Sequence, residues 1–172
     1  RVAIKNFRNF RDLAVDLHNH AVMVGPNGVG KSNLLHALRL VLDPSLPDSA
    51  RQLRQEDFWD GVPRPLQKSA CIQVVVELTD FEADDSQLAS LAEFLVETEP
   101  MVARLTYVFR AKGTAADPPT PDDFEFFIFG GDREENRVGY EVRKRMPVDL
   151  FHALRDAEGD LATWRRSPLR PL

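Results

Sequence analysis

One stretch of the sequence decides the fold: Gly25-Pro26-Asn27-Gly28-Val29-Gly30-Lys31-Ser32. It matches the pattern G-x-x-x-x-G-K-[ST] at every specified position. In such a loop, glycines let successive backbone N–H groups point at phosphate oxygens, and the helix that follows presents its positive N-terminal end. We therefore expect the loop to bind a nucleoside triphosphate, with Lys31 at the β- and γ-phosphates and the Ser32 hydroxyl on Mg²⁺.

The sequence on either side of the loop provides the context that the motif requires. Residues 21–24 form a short apolar run that ends at Gly25, which predicts a fully buried strand. From Lys31 onward, apolar residues recur on one broad face, which predicts a helix that ends at Asp43-Pro44. A strand before the loop and a helix after it argue against a chance match in a glycine turn.

The remaining pattern predicts a mixed α/β domain with an antiparallel component. Alternating or β-branched runs predict strands at residues 2–7, 13–17, 72–78, 102–110, 124–129 and 138–143. Residues 84–98 have the period of an amphipathic helix. Residues 43–70 contain four prolines and are interpreted as a surface excursion, whereas 148–153 fit either a strand or the start of a helix.

The composition limits the class of protein. The chain has 172 residues, of which 43% are apolar, so we expect one globular domain with a real core. Its net charge of −5 does not indicate a dedicated nucleic-acid binder. The single cysteine, Cys71, cannot form an internal disulfide and suits a reducing cytoplasm. No apolar run approaches the roughly 18 residues that cross a bilayer, so no membrane is expected as a partner.

Four blocks of sequence resemble the OLD (overcoming lysogenization defect) family, which is related to the ABC-type ATPases of the RecF and SMC group. The blocks are I-K-N-F-R-N-F at 4–10, G-P-N-G-V-G-K-S-N-L-L-H-A-L at 25–38, E-D-F-W-D-G at 56–61, and M-P-V with A-L-R-D-A-E-G-D-L between 146 and 161. The phosphate loop alone occurs in very many proteins, so the other three blocks make the resemblance specific.

The resemblance implies a fold and an activity. OLD-family proteins join an N-terminal ATPase to a C-terminal Toprim nuclease, and they act on DNA in phage defence or repair. The chain is then expected to be the first lobe of an ABC-type ATPase, a mixed sheet with antiparallel strands around the Walker A helix. The signature motif, the Walker B strand and the Toprim nuclease are expected outside this segment. A homodimer that sandwiches ATP, with DNA as a partner of the full-length protein, is the corresponding expectation.

The resemblance also assigns site residues beyond Lys31 and Ser32. The loop residues and Asn33 are expected around the phosphates. Arg8 and Asn9 match the place where SMC-like ATPases contact the nucleotide base and ribose, although an ordinary solvated turn is the alternative. Asp156 lies near the position of the Q-loop, which suggests a metal role for it or for Glu158. The alternative for Asp156 is an acid favoured by a helix N-terminus.

Two other functions and several minor features stay open from the sequence. Residues 156–159 spell D-x-x-G, as in a GTPase-like switch, but the chain has no N-K-x-D guanine motif. A module that binds nucleotide without hydrolysing it is the second alternative. The four histidines lack metal-ligand spacing and are interpreted as packing or surface residues. A solvated face or DNA contact would explain the basic residues Arg143, Lys144, Arg145, Arg165, Arg166 and Arg170.

Overall fold

The computed structural model describes residues 1–18 and 21–145. In chain order, the strands and helices are β1 (Val2–Phe7), β2 (Phe10–Val15), α1 (Lys31–Leu42), α2 (Asp48–Arg51), β3 (Cys71–Leu78), α3 (Asp85–Leu91), β4 (Leu95–Thr98), β5 (Met101–Ala111), β6 (Phe124–Gly130) and α4 (Tyr140–Lys144). Short 3-10 turns occupy Gln55–Asp57, Ala92–Phe94 and Pro121–Asp123.

A six-stranded sheet forms the centre of the fold. The strand order is β2-β1-β3-β5, and both β4 and β6 pair with the edge of β5 that faces away from β3. Every pairing is antiparallel; for example, Val74 of β3 lies opposite Ile4 of β1 and Tyr107 of β5. These three side chains are buried because alternate residues of each strand point to the same face. The expected α/β class is therefore confirmed.

Helix α1 covers this apolar face of the sheet. Its buried residues recur at helical spacing: Leu34, Ala37, Leu40 and Val41. They pack over β3 and β5 in one continuous apolar core. The helix begins at Lys31 and ends at Leu42, as the sequence predicts. Because α1 is fixed to the sheet along its length, the phosphate loop at its N-terminus is held next to the turn between β1 and β2.

The interpretation of residues 43–70 as a surface excursion is wrong. Leu46, Leu53, Phe58 and Leu66 from this connection are at most 8% exposed and belong to the core. Arg51 is also buried, and its guanidinium donates to backbone carbonyls that include Leu40 O at the end of α1. The prolines shape the path of this connection, but its large apolar residues still enter the core because burial outweighs local irregularity.

Two further predictions of element type are wrong. The helix predicted over residues 84–98 ends at Leu91, and β4 follows because its backbone pairs with Met101–Ala103 on the edge of β5. The strand predicted near residues 138–143 is instead the short helix α4, preceded by a single bridge between Phe129 and Arg137. At residues 95–98, pairing with β5 overrides the helical pattern. At residues 140–144, no described strand pairs with the chain, and Glu141, Arg143 and Lys144 favour a helix. Residues 148–153 lie outside the described part of the chain.

The strand predicted at residues 21–24 is absent from the structure. Val22 and Val24 are 84% and 90% exposed, and no described strand pairs with this run. A continuously apolar run becomes a buried strand only when strands lie beside it and another layer covers it. Neither neighbouring strands nor a covering layer are found among residues 1–18 and 21–145, so the run has no regular secondary structure and is exposed to solvent directly before Gly25.

Candidate phosphate-binding site

The phosphate loop curves in front of the N-terminus of α1. Gly28 and Gly30 have φ angles of 84° and 110°, which side-chain-bearing residues rarely adopt. A Cβ on Gly30 would lie 2.3 Å from Nδ2 of Asn9, so this position also lacks space for a side chain. The first turn of α1 carries no acidic residue, so its positive end is available to an anion.

Lys31 holds the loop together from the first position of α1. Its Nζ donates to the carbonyl of Gly25 at 2.6 Å and to that of Pro26 at 2.8 Å. An ammonium group has three donors, so one is left for an anion in the loop. Ser32 is the next residue, and its side chain is exposed. The loop therefore combines a positive charge, a free hydroxyl and a helix N-terminus.

A concavity of ≈ 190 Å³ lies at this point, lined by Asn27, Gly28, Gly30, Lys31, Ser32 and Asn33. Sites that enclose drug-sized ligands measure about 300–1,000 Å³. The concavity therefore suits phosphate groups, and the described residues do not enclose a whole nucleotide. A larger concavity of ≈ 420 Å³ lies on the sheet face opposite α1. There Arg104 is already paired with Glu77 and Asp132, so its charge is not free for a ligand.

The structure brings Arg8, Asn9 and Asn33 together beside the loop. Asn9 Nδ2 donates to the carbonyl of Val29 at 3.1 Å, and Asn33 Nδ2 donates to Asn9 Oδ1 at 2.7 Å. Arg8 Nη1 donates to Asn33 Oδ1 at 3.0 Å. The polar groups of the β1–β2 turn are thus bonded to the loop and to α1, and this turn is not a simple solvated one.

Asp57 joins the same group of residues, and the sequence interpretation missed its polar role. Its Oδ1 accepts from Arg8 Nε at 2.9 Å, and its backbone carbonyl accepts from the Arg8 N–H at 2.7 Å. The two side chains are only 33% and 19% exposed. The available signal was the E-D-F-W-D-G block, in which the neighbouring Phe58 does pack into the core. No spacing rule connects Asp57 to a turn 49 residues earlier.

His36 and Cys71 behave as packing residues. The ring of His36 meets Phe7 edge-on at a centroid distance of 5.8 Å. Burial, with the nearby Arg8 guanidinium as the next cause, lowers the pKa of His36. Burial likewise raises the pKa of the Cys71 thiol. Within residues 1–18 and 21–145, no group of three or more His, Cys, Asp or Glu side chains is arranged to hold a metal ion. Asp156, Glu158, His20 and His152 lie outside this part.

The basic run at the end of α4 is only partly a solvated face. Arg143 is 6% exposed, and its Nη1 donates to the carbonyl of Val138 at 3.2 Å. DNA contact by Arg143 is therefore ruled out by its burial, whereas Lys144 and Arg145 are exposed. The three later arginines are outside the described residues. In the described part of the chain, no helix has the length and apolar character needed to cross a bilayer.

Comparison with known proteins places these features in a family. The sequence profile of the AAA ATPase domain matches residues 1–141. Endonuclease GajA of Bacillus cereus is 33% identical over 86 residues, which are 49% of this chain and 14% of that protein. The OLD nuclease of Thermus scotoductus is 42% identical over 59 residues, or 34% of this chain and 11% of the nuclease.

Proteins of chromosome partition are also similar. The chromosome partition protein Smc of Cereibacter sphaeroides is 34% identical over 127 residues, which are 71% of this chain and 10% of Smc. A solved SMC ATPase chain superposes with a TM-score of 0.46 at 16% identity, covering 83% of this chain and 74% of that one. The chain matches at most 14% of the length of any of the three curated relatives.

Proposed function

Because the chain belongs to the AAA ATPase domain family, we propose that it binds ATP as the first lobe of an ABC-type ATPase whose cycle controls a DNA nuclease. The observation that carries the proposal is the loop of residues 25–32. Two glycines with positive φ, the Lys31 ammonium and an uncompensated helix N-terminus meet there at one small concavity. This donor set suits the triphosphate of a nucleotide.

Each part of the loop has a definite task in this proposal. The backbone N–H groups from Gly28 to Lys31 bind phosphate oxygens, and Lys31 places its remaining donor on the β- and γ-phosphates. The Ser32 hydroxyl is the ligand that the described residues offer to Mg²⁺. When bound, Mg²⁺ neutralises charge on the phosphate oxygens. A metal role for Asp156 belongs to the same proposal, and contact with the base or ribose is one of two candidate roles for Arg8 and Asn9.

A complete hydrolytic site requires more than this lobe. The concavity is too small for a whole nucleotide, and the apolar run at residues 21–24 lies exposed directly before it. Both observations support a second lobe, with a Walker B strand that pairs with residues 21–24, and a second copy of the protein that closes over the γ-phosphate. DNA cleavage by a Toprim nuclease in the full-length protein is supported by the names of two relatives, an endonuclease and an OLD nuclease.

The test compares Lys31→Ala with Lys5→Ala in the full-length protein. Lys5 is exposed on the sheet face opposite α1 and is not part of the loop. We expect Lys31→Ala to abolish ATP turnover and the effect of ATP on DNA cleavage, whereas Lys5→Ala keeps both. Normal turnover by Lys31→Ala would show that the loop is not the ATP site. Competition between ATP and GTP for binding separates an ATPase from a GTPase-like switch.

A further inference from the structure

A chain of hydrogen bonds with one direction connects Asp57 to the phosphate loop. Asp57 accepts from Arg8, Arg8 donates to Asn33, Asn33 donates to Asn9, and Asn9 donates to the carbonyl of Val29. The four side-chain bonds measure 2.7–3.1 Å. We call this chain the positioning relay. It begins in the connection between α1 and β3 and ends inside the loop.

The chemistry of the first donor fixes the direction of the relay. A guanidinium can only donate, so Asn33 must turn its amide oxygen toward Arg8. The NH₂ group of Asn33 then faces Asn9, which must present its own oxygen there and its NH₂ group to Val29. Flipping either amide would bring two acceptors or two donors together. Arg8 therefore determines, through Asn33 and Asn9, which group meets the Val29 carbonyl, and the carboxylate of Asp57 holds Arg8 in place.

Arg8 is held in place by more than one bond, so it can impose this direction. Its backbone adopts a φ of 50°, and its N–H donates to the carbonyl of Asp57. Two residues further on, the N–H of Trp59 donates to the carbonyl of Asn6 at 2.9 Å, and Phe7 pairs with Phe58 between these bonds. The segment that carries Asp57 is thus bonded to the end of β1 through the backbone.

The far end of the relay sets the orientation of one peptide group. The C=O of Val29 and the N–H of Gly30 belong to the same trans peptide plane and point in opposite directions. With the Val29 carbonyl bound to Asn9, the Gly30 N–H points away from Asn9. Gly30 lines the concavity and Asn9 does not. The relay therefore favours the peptide orientation in which the Gly30 N–H is available to a phosphate oxygen.

We propose that Asp57, Arg8, Asn33 and Asn9 are positioning residues that hold the Val29–Gly30 peptide in its phosphate-binding orientation. The inference rests on the proposed function of the loop. It differs from a contact of Arg8 and Asn9 with the base and ribose, because the relay acts on the phosphates alone. The two roles predict different ligand dependence.

The first experiment measures the affinity of the full-length protein for ATP and for inorganic tripolyphosphate, which has no base or ribose. We expect Asn9→Ala to weaken both by the same factor, about fivefold, the size of one lost hydrogen bond. The matched control is Asn136→Ala, which removes an amide that donates to the Glu93 carbonyl at 3.0 Å, away from the loop. This control should leave both affinities unchanged.

Other outcomes of this experiment overturn the relay. If Asn9→Ala weakens ATP alone, Asn9 contacts the base or ribose; if it weakens neither ligand, the peptide does not depend on Asn9. If Lys31→Ala binds both ligands as tightly as the wild-type protein does, or if the wild-type protein binds neither ligand, the loop is not the ATP site. The proposed function and the relay are then both wrong. Lys31→Ala thus separates failure of the site from failure of the relay.

A second experiment removes the hydrogen bonds of Asn33 without adding charge at the concavity that it lines. In Asn33→Leu, a side chain of similar size can neither accept from Arg8 nor donate to Asn9. We expect a loss of tripolyphosphate affinity like that of Asn9→Ala. The effects of Asp57→Ala and Asn9→Ala should also be non-additive, because both break the same chain. Full affinity in Asn33→Leu, or additive losses in the double variant, would overturn the relay.

Discussion

His36 lies in the second turn of α1, where its ring packs against Phe7 and its pKa is lowered by burial and by Arg8. The pKa of an unfolded histidine is about 6.5. Below that pH the unfolded chain takes up a proton that the folded chain resists, so stability falls as the pH decreases from 6.5 toward the lower folded pKa.

We expect His36→Phe to reduce the loss of thermal stability between about pH 7 and 5.5, because it keeps an aromatic ring but removes the titration. The melting temperature at several pH values measures this effect. The wild-type protein, measured over the same pH range, is the reference. An unchanged loss in His36→Phe would mean that His36 is not the responsible group.

The sequence predicts the roles of some residues and not of others. Lys31 and Ser32 follow from the spacing of one motif, since a phosphate loop requires them at fixed positions. Asp57 could not be found in this way, because its partner Arg8 is far away in sequence and meets it only after β1 and the α1–β3 connection have packed. The burial of Arg143 was equally hidden, since a run of three basic residues predicts a solvated surface.

At the scale of elements, the end of α1 depends on Arg51 from the connection that follows it. The Arg51 side chain is 1% exposed and donates to the carbonyls of Leu40, Asp43 and Leu46. The carbonyls at a helix C-terminus lack intrahelical partners, and a positive charge there also suits the helix dipole. The Tyr107 hydroxyl in turn donates to the Arg51 carbonyl at 2.6 Å, which ties α2 to β5.

We expect Arg51→Met to lower the free energy of unfolding by about 2–4 kcal/mol, because several buried carbonyls lose their donor. Chemical denaturation measures the difference. Arg133→Met removes an exposed arginine and should change the free energy by less than about 0.5 kcal/mol. Equal stability of the two variants would contradict the role of Arg51 as the donor to the carbonyls at the C-terminus of α1.

The sequence predicts elements well where the pattern and the packing agree. β1, β3, β5, β6 and α1 lie where periodicity places them, because their apolar faces meet in one core. The pattern fails at residues 95–98, where helical spacing continues but the backbone pairs with β5. It fails again at the connection of residues 43–70, where burial of Phe58 and Leu66 depends on contacts that no local window contains.

At the scale of the whole molecule, the run at residues 21–24 is exposed in this chain but would be buried in the assembly proposed for it. We expect Val22→Lys with Val24→Lys to change the stability of the 172-residue chain by less than about 0.5 kcal/mol, since both side chains are already in water. In the full-length protein, the same change would place two charges in a buried strand and should lower both stability and ATP affinity.

The control for this prediction is Ile72→Ala, which removes a fully buried side chain. It should destabilise the chain and the full-length protein alike, by about 2–5 kcal/mol. A large loss of stability when the double lysine variant is made in the 172-residue chain would show that residues 21–24 are already packed. No difference from wild type in the full-length protein would argue against a covering lobe.

Met23 lies in the middle of this run and is 38% exposed. Oxidation of methionine to the sulfoxide follows exposure and converts an apolar thioether into a polar group. Met23, two residues before the phosphate loop, is therefore a chemical reporter of whether the run is exposed. In peptide mass spectrometry after mild peroxide treatment, the oxidised fraction of Met23 would record how much of the protein has this segment uncovered. Oxidative damage at this position would itself oppose re-covering of the run.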